Sequence, residues 1–207
     1  MLLSVKKRQE YLRDIGLYNG LIDGKVGTKT KKAYKDLQEK YFTKEKRPND
    51  RNGVYGSDTD ILLRNAHLFY EYKITNFKLE EFRCKCTKAC TGYPVKLDKN
   101  LLINLQNLRI HYKHPINITS GIRCKVHNAE VGGSKTSGHL KGKASDIYIK
   151  NYSDTFVHRK NIVNYWTGNL KQYHAYCNGY RILNGKVSYP STPNMGNSTH
   201  VQVKWFH

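Results

Sequence analysis

No window of this 207-residue chain approaches the ~18–20 apolar residues that a membrane span requires. The opening Met1-Leu-Leu-Ser-Val-Lys-Lys-Arg turns basic after five residues, so no apolar core of an export signal is expected there. Acidic residues are scarce: 16 Asp and Glu stand against 36 Lys and Arg, a formal charge of +20. Such an excess attracts polyanions over long range and loses its pull as salt rises. The basic residues are spread along the whole chain, with neither an RNP-like aromatic motif nor a recognition-helix signature, so no specific nucleic-acid partner is expected. Cysteine is sparse and odd in number (five), which leaves at least one thiol unpaired within the chain. Cys84, Cys86 and Cys90 lie close enough in sequence to form part of a zinc or disulfide site, but reduced thiols are an equal reading, and no second metal is expected from them.

What is present reads as globular: 38% hydrophobic residues and 12% aromatic, with 16 Tyr against 6 Phe and 2 Trp. The length allows one medium domain and one small one, and a monomer is expected.

The first seventy residues contain an internal echo. Asp23-Gly-Lys-Val-Gly-Thr-Lys-Thr30 returns as Asn52-Gly-Val-Tyr-Gly-Ser-Asp-Thr59, 29 positions later. In each copy Asp-Gly or Asn-Gly supplies a turn, and the hydroxyl residues after the second glycine suit a helix start. Helices are predicted over Val5 to Ile15, Lys29 to Tyr41 and Asp58 to Phe69, with apolar stripes such as Ala33, Leu37 and Tyr41. Residues 42–52 form a charged connection, and 70–76 a link to the second half of the chain. The pattern Gln9-x-x-Leu12, Gly16-Leu-Tyr-Asn-Gly20, Ile22-Asp-Gly24, Gly27, Thr30, Ala33, Leu37-Gln38 resembles the three-helix peptidoglycan-binding domain that accompanies many wall hydrolases.

From Phe77 the pattern becomes mixed. Leu101, Leu105, Leu108 and Tyr112 mark an amphipathic helix, Ile116 to Thr119 a short strand, Ala144 to Lys150 a second strand, and Phe156 to Trp166 another helix. The chain closes on a strand, His200-Val-Gln-Val-Lys-Trp205. Between these lies Ser137-Gly-His139-Leu-Lys-Gly142-Lys-Ala144-Ser-Asp146. An imidazole and a carboxylate seven residues apart, with Gly142 for a sharp turn and small Ala144 for close packing, suit a zinc ion. A catalytic zinc takes three protein ligands, and His200 is the best third. Period two puts His200, Gln202 and Lys204 on one face of that strand and Val201, Val203 and Trp205 on the other.

These residues, with Phe77, Glu81-Phe82, Ser120-Gly121-x-Arg123, His127-Asn128 and Gly132-Gly133, resemble the zinc peptidases that include D-alanyl-D-alanine carboxypeptidases, VanX- and VanY-like dipeptidases and phage L-alanyl-D-glutamate endopeptidases. The resemblance implies an α+β peptidase domain built on a central antiparallel sheet. It implies Zn2+ on His139, Asp146 and His200, with Arg123 at the developing oxyanion or a substrate carboxylate; Ser137 and Gln202 are taken as substrate-binding. Relatives carry their proton-accepting carboxylate three residues before the last histidine or two after it. Asn197 and Gln202 occupy those places here, and neither amide accepts a proton near neutral pH. Glu130 is the first replacement to test, with His174 and Tyr189 as other routes.

The expectation is therefore a peptidoglycan-binding domain over 1–72 and a zinc peptidase domain over 73–207. Together they form an endolysin-type hydrolase made in a host cytoplasm and acting on bacterial peptidoglycan after release, with its charge drawn to anionic wall polymers. The alternative is a zinc-stabilised wall-binding protein of little or no activity.

Overall fold

The computed structural model describes residues 1–45, 47–87, 90, 92–191 and 195–204. They form an α+β fold with six α-helices and one six-stranded antiparallel sheet.

Helices α1 (Val5–Asp14), α2 (Thr28–Tyr41) and α3 (Ser57–Glu71) fall within two residues of their predicted bounds, and α3 packs against both others. Thr30, Ala33, Tyr34, Leu37, Gln38 and Tyr41 form the buried stripe of α2. The sequence echo is also a hydrogen-bond echo. Gln9 is fully buried; its amide donates to the Lys25 carbonyl at 3.0 Å, and its Oε1 accepts from Gly24 N at 2.8 Å. Gln38, also buried, donates to the Val54 carbonyl at 2.7 Å and accepts from Gly53 N at 2.8 Å. Each glutamine thus satisfies a turn backbone that would otherwise lose its bonds on burial.

The connection between α2 and α3 is more than a charged link, although Lys46 lies outside the described residues. Arg47 ion-pairs with Asp50 and Asp58 and donates to the carbonyls of Cys90 and Tyr93. Asn65 on α3 holds the same stretch: its amide donates to Val95 O and its carbonyl accepts from Leu97 N, both at 2.9 Å. One hydrophobic cluster runs from Leu12 to Val203.

The later half brings α4 (Lys99–Tyr112), capped by Asp98, and α5 (Lys125–Glu130). Helix α6 (Phe156–Asn164) runs on into a π-helical turn over Tyr165–Asn169, where a simple helix to Trp166 was predicted. The sheet order is β1-β2-β6-β3-β4-β5, for β1 (Ile116–Ser120), β2 (Ala144–Ile149), β3 (His174–Cys177), β4 (Tyr180–Leu183), β5 (Lys186–Ser188) and β6 (Thr199–Gln202). Ile147, Ile149, Ala175, Val201 and Val203 are buried with Ile162, Val163 and Trp166 of the α6 region, and α6 packs on β3, β4 and β6. Strand β6 stops at Gln202, earlier than predicted, and Trp205 lies outside the described residues.

Candidate metal centre

Residues directly opposite each other in adjacent strands share a face of the sheet. The register pairs Ser120 with Asp146, Asp146 with His200, His200 with Tyr176, Tyr176 with Arg181 and Arg181 with Ser188. One row of side chains therefore crosses all six strands on the face opposite the α6 core. Its members from Ser120 to Arg181 line a cavity of about 1060 Å³, with His139 and His174 beside them. Strand pairing brings Asp146 and His200, 54 positions apart in sequence, to the same place.

His139 comes from a 3-10 turn, Gly138–Lys141, that ends on Gly142. Gly142 has φ +65°, and a Cβ there would lie 2.4 Å from the Lys96 carbonyl oxygen, so the turn needs glycine for conformation and for space. Ser137 caps that turn, its Oγ accepting from His139 N at 3.3 Å.

The three predicted ligands meet. Asp146 Oδ1 lies 2.8 Å from His200 Nδ1 and 3.2 Å from His139 Nε2, and the two ring nitrogens are 3.2 Å apart. A tetrahedral zinc with ligands at ~2.0–2.1 Å separates them by roughly 3.3 Å, so the triangle fits one face of that tetrahedron. The outer nitrogens settle the tautomers. His139 Nδ1–H donates to Gly121 O at 2.7 Å, and His200 Nε2–H points to Gln202 Oε1 at 3.4 Å. Both inward nitrogens then present lone pairs to a carboxylate oxygen, an arrangement that a cation relieves. The residues fit the metal.

The titration of His139 and Asp146 agrees. Burial pushes His139 down from its ordinary value, outweighing the pull of Asp146, so the ring stays neutral as a ligand must. Burial alone would raise Asp146, but charge and hydrogen bonds from His139 and His200 in their protonated forms outweigh it and hold the carboxyl well below the usual range. A bound cation would take over that role once the rings are neutral.

Arg123 is placed differently from the resemblance. Its guanidinium ion-pairs with Asp146 Oδ2, the oxygen turned away from the imidazoles, and its Nε donates to Ser120 Oγ at 2.8 Å. It therefore orients a ligand, although it still lines the cavity. Gln202, taken as substrate-binding, lines the cavity, largely buried and with its carbonyl oxygen toward His200. Ser137 lines the cavity. Glu130 does not: its half-exposed carboxylate lies 3.5 Å from His127 Nδ1. Asn197 is tied to Arg159 and Asp154, and the exposed Tyr189 is not among the lining residues. Asp146 is the sole carboxylate among the described residues that line the cavity.

His174 does line it. Its ring lies 5.4 Å from that of His200, its Nε2 is buried without a hydrogen-bond partner, and burial pushes it down to about 3. Tyr176 stacks on His200 at 4.5 Å, and burial pushes its phenol up to about 12. Arg181 and Lys204 add positive charge to the wall. Tyr176 and Arg181 were missed with the whole β3–β5 segment, although Asn178-Gly179 and Asn184-Gly185 are strong hairpin signals. Asn184 and Gly185 both take positive φ, as a type I′ turn requires.

No curated protein matches the chain. Residues 75–174, which include His139 and Asp146 but stop short of His200, match the family model described as Peptidase M15. M15 peptidases are typically zinc-dependent, and that match supports an M15 zinc peptidase.

Proposed function

We propose that this protein is a zinc-dependent hydrolase of bacterial peptidoglycan, cutting an amide bond in the stem peptides as an L-Ala–D-Glu endopeptidase or a D-Ala–D-Ala carboxypeptidase. The observation that carries this reading is the convergence of His139, Asp146 and His200 on the floor of an open cavity. A catalytic zinc needs such a three-ligand site with an accessible side, whereas a structural one is closed. Bound zinc supplies Lewis acidity toward a carbonyl oxygen and acidifies water.

The remaining roles belong to the chain. Arg123 fixes the carboxylate of Asp146, and Gln202 fixes His200. Arg181 and Lys204 draw in the carboxylates that stem peptides carry. Tyr176, a neutral phenol, offers a donor to developing negative charge. His174, whose ring lines the cavity and is unprotonated above about pH 3, serves as the proton acceptor once water reaches its buried Nε2. So weak a base gains little by accepting a proton, which places its contribution at the low end of the usual ~10²–10⁴.

Residues 1–72 act in this reading as a three-helix wall-binding domain and 73–207 as the catalytic domain. Tethering to murein raises the local concentration of substrate, and the +20 charge favours anionic wall polymers. The architecture suits an endolysin that reaches the wall after release from a host cytoplasm. A second reading, a zinc-stabilised wall-binding protein, is favoured by the lack of another carboxylate among the described cavity residues. Mass spectrometry of purified sacculi separates the two. The wild-type protein is expected to release new amino termini or free D-Ala, and His139→Ala none. Zinc retention and wall binding with no new amine from the wild type would establish the binder instead.

A further inference from the structure

A second cluster of metal-binding side chains lies outside the cavity. Cys84, Cys86, Cys90 and Cys124 are all buried, and their sulfurs lie within 4.8 Å of one another. Three come after the turn at Leu79–Phe82, and the fourth caps α5 from 34 positions further on. No disulfide joins any of the four.

We propose that these four cysteines bind a structural zinc ion, distinct from the one at His139, Asp146 and His200. Zinc–thiolate distances of ~2.3 Å in a tetrahedron place sulfurs about 3.8 Å apart, within the observed spread. Two cysteines separated by one residue, a third nearby and a distant fourth make a closed all-sulfur set, which favours a soft or borderline ion over calcium or magnesium. Backbone amides already point at the sulfurs: Cys124 N–H donates to Cys84 Sγ at 3.3 Å and His127 N–H to Cys124 Sγ at 3.4 Å. Thiol sulfur is a weak acceptor, and thiolate a good one.

Charge points the same way. Four thiolates around Zn2+ carry a net charge of −2, and such a group in the interior needs cations. Arg83 lines the small cavity that Cys84 and Cys90 also line; Arg47 lines it too, but is already paired with Asp50 and Asp58. Arg83 donates from Nη2 to the Lys40 carbonyl at 3.3 Å, while its Nε is buried with no hydrogen-bond partner, a cationic edge beside the cavity that a zinc–thiolate group would offset.

The ion would clip the chain at a point that serves the first centre. Ile122 N–H donates to Phe82 O at 2.9 Å, and a Cβ on Gly121 would lie 2.6 Å from the Phe82 Cα, so the two segments lie backbone to backbone. Between them and Cys124 sit the Gly121 carbonyl that orients His139 and the Arg123 guanidinium that holds Asp146. The four-cysteine ion is therefore a positioning device for the catalytic loop, and it stands even if the peptidase reading fails.

The test is zinc content by plasma mass spectrometry on the full chain purified under reducing conditions. Two zinc ions per chain are expected in the wild type and one in H139A/H200A. When H139A/H200A is refilled with cobalt, it should show thiolate-to-cobalt charge-transfer bands. C84S/C124S should lose one zinc and those bands. Should that variant fail to fold, the stoichiometry and bands of H139A/H200A decide alone. Zinc-free H139A/H200A without a cobalt–thiolate band, or a disulfide among the four in the native protein, overturns the proposal.

Discussion

The two donor clusters of this molecule differ in what surrounds them more than in how tightly their atoms are gathered. His139, Asp146 and His200 are themselves buried but line an open cavity of about 1060 Å³. The four cysteines stand in the core, beside a small cavity walled by Tyr41, Phe42 and Tyr93. Mixed nitrogen and oxygen donors with one side open suit an exchangeable ligand and chemistry; four sulfurs closed on all sides suit folding. Openness separates a site that reacts from a site that holds.

Chelation draws that contrast hardest. Dialysis against a chelator at neutral pH should abolish release of new amines from sacculi while the midpoint of thermal unfolding moves little, because the open ion exchanges first. Parallel digestion and calorimetry check this; a collapse of thermal stability in step with activity would erase the distinction between the sites.

The next effect concerns the proton acceptor. His174→Gln should lower kcat by roughly 10²-fold with KM little changed, the lower end of a general-base loss. Glu130→Gln, at a carboxylate turned to His127 outside the cavity, should change kcat less than twofold, roughly RT ln 2 in barrier. The opposite ranking would return the base to the loop before Gly132.

These variants also mark how far the sequence could be read. His139, Asp146 and Gly142 were legible because their spacing is local, and one turn and one strand carry it. His200 was legible because its strand alternates with buried valines. The short strands β3 and β4 were not: four residues each, with histidine, tyrosine and arginine in half their places, they show too little periodicity. Their paired Asn-Gly turns were the better signal. Cys124 could not be joined to Cys84, Cys86 and Cys90 from spacing, since tertiary packing of Gly121 on Phe82 is what brings it there. Gln202 read as substrate-binding from its face of the strand; it does line the cavity, and its oxygen also lies toward His200.

A separate effect, on stability rather than rate, is in acid. His174 has a folded value near 3 against an ordinary 6.5, so the unfolded chain binds its proton first. Stability from this group is complete above about pH 6.5 and declines as pH falls toward 3, with His139 acting in the same direction. His174→Gln should flatten that part of the stability curve in urea titrations taken across the range. An unchanged slope would show that the buried imidazole is not neutral in the folded protein.

The most direct test of the first centre is a crystal of the zinc-loaded protein measured on both sides of the zinc absorption edge. An anomalous peak bonded to His139 Nε2, Asp146 Oδ1 and His200 Nδ1, with one side open to the cavity, is the predicted result. A map with zinc at the cysteines alone, and the two imidazoles turned apart, would contradict it.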